Sequence, residues 1–403
     1  MTVEPEEPEN TTRPPWKVMG VVALILLVVL ASISFLVLRG NNRLPVRSVV
    51  PVPANSNGAM FGFDVQHTHF NPAEHTLTTE NVSRLVLDWT ATTGNVIIAA
   101  PTVAGDIVYI GSYDQRFYAY DAMTGKLIWD QYIPDTIGST AAVAQGIVYI
   151  GSNDRHLYAF NARTGTWIWS ATTGGDIWSS PTVYNGVVYA GSNDGKLYAF
   201  DAHTGKTIWT YTTGNQVSSS PAVYQGVVYI GSEDAHLYAL DARTGKLRWV
   251  VPVRLPIRVS SPAIVNGVVY VGSEDGKVYA FDARAGKTVW TAQTKGFIHS
   301  SPAVADGIVY IGSNDHGLYA FDARTGKRIW VMFSGNVIDS SPSIADGVVY
   351  VGSQDHRLYA MNARTGKILW SYTAGDSIDS SPTIINGVVY VGSWDGKLYA
   401  FHL

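Results

Sequence analysis

The stretch SSPTVYNGVVYAGSNDGKLYAFDAHTGKTIW, residues 179–209, decides the fold, because it returns with small changes along most of the chain. Its Tyr189 has counterparts at Tyr109, Tyr149, Tyr229, Tyr270, Tyr310, Tyr350 and Tyr390, spaced by forty residues except for forty-one between Tyr229 and Tyr270. A self-similar period of this length marks a repeat architecture. Within the stretch, Ser179 to Tyr184 reads as a short strand, and Val187 to Gly191 follows an Asn-Gly hairpin turn. Lys196 to Phe200 and Thr207 to Tyr211 supply two more, set apart by Ser-Asn-Asp-Gly and Thr-Gly turns. Four short strands per unit make a propeller blade. Eight units from about Val96 onward predict an all-β, eight-bladed β-propeller.

The eighth copy stops at Tyr399-Ala-Phe-His-Leu403, before its outermost strand. A strand of the missing type lies at the front, residues 84–94, with Trp89 forty residues before Trp129. This N-terminal strand is expected to complete the last blade and close the ring, leaving no free edge.

Composition agrees. The 403 residues are 46% hydrophobic and 15% charged, which excludes a disordered chain, and 39 Gly, 23 Tyr and 12 Trp suit a turn-rich β protein. A net charge of −4 lacks the basic footprint of nucleic-acid binding. The absence of cysteine removes disulfides, thiolate metal sites and cysteine nucleophiles.

Ahead of the ring, residues 1–17 are acidic and proline-rich and read as a disordered tail. Val18 to Leu38 carries no formal charge over twenty-one residues, long enough for a single-pass transmembrane helix rather than a cleaved signal. Residues 39–59 form a linker, and residues 60–403 the propeller domain. Arg13 and Lys17 precede the span while Arg39, Arg43 and Arg47 follow it, a count that by itself favours a cytoplasmic propeller.

The recurring Ala-x-Asp/Asn-x-x-Thr-Gly-x-x-x-Trp, as in Ala199, Asp201, Thr204, Gly205 and Trp209, resembles the tryptophan-docking motif of the pyrroloquinoline quinone (PQQ) repeat propellers. Seven copies are present, with Ala285 in place of Thr in the fifth. The docking residues are Trp89, Trp129, Trp169, Trp209, Trp249, Trp290, Trp330 and Trp370, and their role is structural because each repeats around the ring. The aspartates of the Gly-Ser-x-Asp turns, such as Asp194 and Asp234, are turn caps on the same reasoning. The segment from Phe61 to Pro72, followed by Asn81 to Trp89, is similar to the opening of the quinoprotein alcohol dehydrogenases. That resemblance implies PQQ and calcium at the top of the channel, and an extracytoplasmic domain, against the charge count.

Chemistry belongs where the repeats differ. The slot three residues before each repeat proline reads Ile98, Gly138, Trp178, Ser218, Val259, His299, Asp339 and Asp379, and counting from Trp249 instead places Arg258 in the fifth copy. Arg258, His299, Asp339 and Asp379 thus form a polar arc at the channel mouth, with Trp178 opposite and Asp176, Gln216 and Arg254 near in sequence. Asp339 and Asp379 are candidate cation ligands or bases, with His299 a further catalytic candidate. Arg258, Trp178, Asp176 and Gln216 are candidate cofactor contacts. The arc serves equally as the wetted lining of an open channel. Glu233 and Glu274 read as members of outer turns, away from any site. The dehydrogenases carry large insertions and a cysteine pair that this chain lacks, so no family catalytic residue transfers. Two functions stay open. One is a membrane-anchored binding or scaffold module, like the lipoprotein propeller of outer-membrane assembly, meeting protein partners on its faces. The other is a minimal PQQ-dependent alcohol or sugar dehydrogenase.

Overall fold

The computed structural model describes residues 59–403. The tail, the transmembrane helix expected at 18–38 and nearly all of the linker lie outside the described residues. Among the described residues no helix is long and apolar enough to cross a membrane.

Eight four-stranded antiparallel sheets follow one another. Strand β1 (Val86–Thr92) stands alone at the front, and β2 (Thr102–Ala104), β3 (Ile107–Gly111), β4 (Arg116–Asp121) and β5 (Leu127–Tyr132) form blade 1. Blades 2 to 7 repeat that order over 142–172, 182–212, 222–252, 263–293, 303–333 and 343–373. Blade 8 takes its inner three strands from 383–402 and its outer strand from β1, which pairs Val86 with His402 and Thr92 with Lys397. Ring closure by the front strand is therefore as expected. The inner strand is shorter than expected: in blade 3 it spans Thr182–Tyr184, after the proline, because the Ser179 hydroxyl accepts from Gly191 N of the same blade's second strand and Ser180 N donates to the Ser220 hydroxyl of the next blade.

The second and third strands of each blade are buried on both faces and read as near-continuous apolar runs, whereas the outer strand alternates. A bulge recurs in the outer pair, between Ala199 and Phe200 in blade 3. It turns the outer-strand tryptophan toward the next blade. There Trp209 Nε1 donates to Ala242 O at 3.0 Å, and the hydroxyl of Tyr189 donates to the same carbonyl at 2.9 Å. Gly245 lies beneath the indole at φ +69°, and a Cβ on it would sit 2.7 Å from the ring, so a side chain is excluded twice over. Trp89, Trp129, Trp169, Trp249, Trp290 and Trp330 bond the equivalent alanine carbonyl of the following blade. Trp370 faces β1, which lacks that turn, and bonds Leu85 O at 3.0 Å. The Gly-Ser-x-Asp aspartates are caps as read: Asp234 accepts from Gly214 N and from the Tyr238 hydroxyl at 2.6 Å.

Two features shape the channel. Serines from the Ser-Ser-Pro corners form a belt, each backbone N–H donating to the next blade's hydroxyl at 2.9–3.1 Å from Ala100 through Thr140, Ser180, Ser220, Ser261, Ser301 and Ser341 to Ser381. Blade 1 carries Ala99 and Ala100 there, which interrupts the belt. Residues 59–74 then run around the inner edges as a plug. Val143 N bonds Ala59 O, Val223 N bonds Val65 O, Ile264 N bonds Gln66 O, Val304 N bonds Thr68 O and Ile344 N bonds His69 O. The plug satisfies inner-strand amides that would otherwise be a bare edge.

Candidate functional site

Two variable positions per blade build the site. One is the slot after the buried Ile or Val that opens each Ser-Ser-Pro corner. The other is the x of Gly-Ser-x-Asp, which the hairpin turn holds beside that corner: Glu233 N bonds Gln216 O at 2.9 Å and Gln354 N bonds Val337 O at 2.9 Å. In blades 4, 5 and 7 the x side chain reaches between the slot of its own blade and the slot of the next. Glu233 accepts from Ser218 at 3.1 Å and lies 3.4 Å from the Arg258 Nε. Glu274 lies 3.8 Å from Arg258 NH1 and 3.3 Å from His299 Nε2. His299 Nδ1 is 3.4 Å from Asp339 Oδ1. Gln354 Nε2 donates to both Asp339 and Asp379, at 3.2 and 3.4 Å.

The structure thus joins Arg258, His299, Asp339 and Asp379 in one continuous arc. The extra residue of blade 5 falls between Ile257 and Ser260, so Arg258 takes the slot and Val259 stands beside it. Trp178 and Gln216 line the same cup, and Asp176 does not. Glu233 and Glu274 are a correction: they point to the channel mouth, because the second hairpin turn of a blade abuts the corner loop. Tyr113, Asn193, Gln354 and Trp394 occupy the same x position and were equally missed. Variation inside an otherwise repeated tetrad was the available signal. The turn's invariant Asp drew attention away from it.

The cup has a volume of about 640 Å³, with Phe61 of the plug among its lining residues. Burial and the adjacent Asp339 push the Asp379 carboxyl up to about 6, while Gln354, Trp394 and His299 oppose the shift. His299 is raised above its ordinary value, chiefly by its bond to Asp339. Oδ1 of Asp379 is buried without a hydrogen-bond partner, and buried Oδ1 of Asp339 has the His299 ring as its ion-pair partner at 3.4 Å. Because Asp379 holds its proton more tightly folded than unfolded, its contribution to stability falls as pH rises from about 4 through 6. Asp379→Asn is therefore expected to raise the melting temperature by about 2–4 °C at pH 7.5 and by nothing at pH 4.5. An equal effect at both pH values would remove the carboxylate repulsion.

The residues do not fit PQQ with calcium. PQQ is a tricarboxylate, and the arc sets Glu233, Glu274, Asp339 and Asp379 against Arg258 and His299, with the guanidinium already shared by two glutamates. An amide N–H, not an oxygen, lies between the two aspartates. Among the described residues no three His, Asp or Glu converge as a metal site, and calcium takes six to eight oxygens.

A family model described as Beta-alanine-activating enzyme, beta-propeller, matches residues 92–308, and one described as Outer membrane protein assembly factor BamB matches residues 332–402. The crystal structure of BamB from Moraxella catarrhalis is similar over 79% of this chain and 100% of that one, at 23% identity and TM-score 0.70. A europium-containing methanol dehydrogenase is similar over 87% of this chain and 99% of that one, at 17% identity and TM-score 0.75. The quinohemoprotein alcohol dehydrogenase from Comamonas testosteroni is similar over 85% of this chain and 80% of that one, at 19% identity and TM-score 0.72. At these identities the likeness is one of fold. No curated protein sequence matches the chain.

Proposed function

The chain belongs to the family described as Beta-alanine-activating enzyme, beta-propeller, whose model matches residues 92–308, and its last blades match the PQQ-repeat model described as Outer membrane protein assembly factor BamB over residues 332–402; we propose that it is a membrane-tethered, extracytoplasmic binding module without a catalytic step of its own. The tether is the apolar segment 18–38, and the location follows the family resemblance. The observation that carries the reading is the make-up of the arc. Its charged groups are engaged with one another around a net acidic cup, which suits docking of a basic side chain and disfavours an anionic quinone. The exposed Trp178 and Trp394 at the same mouth add the aromatic area that anchors a polypeptide or glycan.

The test is a titration of the full chain in detergent with PQQ, with and without calcium, read by tryptophan fluorescence and by dye reduction over a panel of alcohols and sugars. A parallel titration uses an arginine- and lysine-containing peptide. Expected are no saturable PQQ signal, and peptide binding that weakens with salt and drops about tenfold in Asp339→Ala, measured at a temperature where the variant's own melting curve shows it folded. Calcium-dependent PQQ binding with dye reduction would replace this reading by the dehydrogenase one.

A further inference from the structure

The end of the ring away from the acidic cup is made of two turns per blade: the hairpin joining the first two strands, and the turn of Thr-Gly type before the outer strand. Ala242 N bonds Gly226 O and Ala283 N bonds Gly267 O, which holds the two turns of blades 4 and 5 side by side. Ala323 and Ala363 make the same bond to Gly307 and Gly347 in blades 6 and 7.

Charge is spread unevenly over this end. In blades 4 to 7 each outer turn carries an exposed arginine and, three residues on, an exposed lysine, from Arg243 and Lys246 to Arg364 and Lys367. Blades 1 to 3 carry one cation each there, because Met123, Thr166 and His203 stand in the other place. Counting Arg248 and Arg328, the turns of blades 4 to 7 set ten cations against five carboxylates, whereas those of blades 1 to 3 balance three against three. The five carboxylates are already engaged or set back. Asp241, Asp282 and Asp322 accept amides of their own turns, Asp241 also bonds Arg248, and Asp306 and Asp346 sit on the inner hairpins. Among the described residues none of the four lysines, nor the arginine three residues before each, has a carboxylate within ion-pair distance.

Within two residues of each lysine the outer strand also exposes an aliphatic side chain: Leu247, Val289, Ile329 and Ile368 are 44–48% exposed. Unpaired cations beside exposed aliphatics suit the headgroup layer of a bilayer, where phosphates meet the cations and the aliphatics lie among the glycerol groups. The turns stand one to a blade along the rim, so they present a broad surface and not a socket. We propose that the outer rim of blades 4 to 7 is a docking surface for a bilayer rich in anionic lipid. The proposal rests on the reading of residues 18–38 as a tether, which brings a bilayer to the ring. Docked in this way, the ring turns its acidic cup away from the lipid and toward a partner.

For the test, the full chain is reconstituted in nanodiscs of phosphatidylcholine, alone or with about a third phosphatidylglycerol, and treated with limiting acetic anhydride. Lys246, Lys287, Lys327 and Lys367 are expected to be acetylated about five- to tenfold more slowly in the anionic discs, an effect that about 0.5 M salt removes. Lys196, Lys277 and Lys397 at the cup end, and Lys126 and Lys206 in the balanced half, should react alike in both discs. Arg284→Gln/Arg324→Gln, at exposed positions, should lose most of the slowing at Lys287 and Lys327 and keep its melting temperature. Equal rates in the two discs, or slowing spread evenly over all lysines, would overturn the docking surface. Stronger slowing by soluble polyglutamate than by anionic lipid would overturn it in favour of an acidic polypeptide. Co-elution with the phosphatidylcholine discs reports on the tether separately. A chain that fails to co-elute refutes the tether and is then given to phosphatidylglycerol vesicles, where slowing at the same four lysines supports the rim and unchanged rates overturn it.

Discussion

Trp169→Ala is expected to destabilise the ring by about 3–5 kcal/mol, the range for truncating a buried large aromatic side chain. Trp169 is 5% exposed, sits over Gly205 of the next blade and donates to Ala202 O at 3.0 Å. The carbonyl keeps the Tyr149 hydroxyl at 3.0 Å, so little of the loss comes from an orphaned acceptor. Most of it comes from the void between blades, which the rigid sheets collapse into poorly. Trp209→Ala belongs at the lower end because Trp209 is partly exposed. Urea denaturation of both variants checks the order. Unchanged midpoints would dismiss the tryptophans as docking residues.

Acid should loosen the plug. His67 and His69 are both buried and neutral, and burial pushes each down to about 3, with their mutual repulsion adding to the shift for His67. The unfolded chain takes up these protons near pH 6.5 and the folded chain does not. Stability from the neutral pair is therefore complete above about pH 6.5 and is lost progressively down to about pH 3, by up to about 1.4 kcal/mol per pH unit for each histidine. His299, raised by Asp339, acts in the opposite sense, and so do Asp64 and Asp379, whose pKa values are raised by burial. The isolating comparison is His67→Asn/His69→Asn, since asparagine tolerates the left-handed φ of 52° and 54° at these positions. The stability difference between wild type and double variant should shrink steadily as pH falls from 7 to 4. A difference that stays constant over that range would mean the imidazoles are solvated.

The order in which the ring assembles was legible in the repeat because each blade solves one local problem in one way. A Thr-Gly turn, a bulge and a tryptophan recur together, and their contacts are with the identical turn of the next blade. Where that neighbour differs, the pattern fails in a readable manner: β1 has no such turn, so Trp370 moves to Leu85 O and the Tyr350 hydroxyl loses its acceptor. The arc of slot residues was legible for a related reason, since slots stack in register around a closed ring. Its electrostatics were not. The partners Glu233, Glu274 and Gln354 approach from a different turn of each blade, and only the angle between hairpin and corner loop brings them to the mouth.

The plug shows the same division. Phe61 to Pro72 is recognisable as a segment that precedes the ring, but its path past the inner edges of successive blades depends on amides that exist only once the ring is closed. Sequence by itself determined the repeat, the number of blades, the closing strand and the variable slots, because these rest on local patterns and on periodicity. Tertiary structure alone decided that the channel mouth is an acidic cup above a plug in which His69 is buried with its Nε2 unbonded. Burial, charge balance and an unmet hydrogen bond are properties of atoms far apart in the chain, and no local pattern of residues carries them.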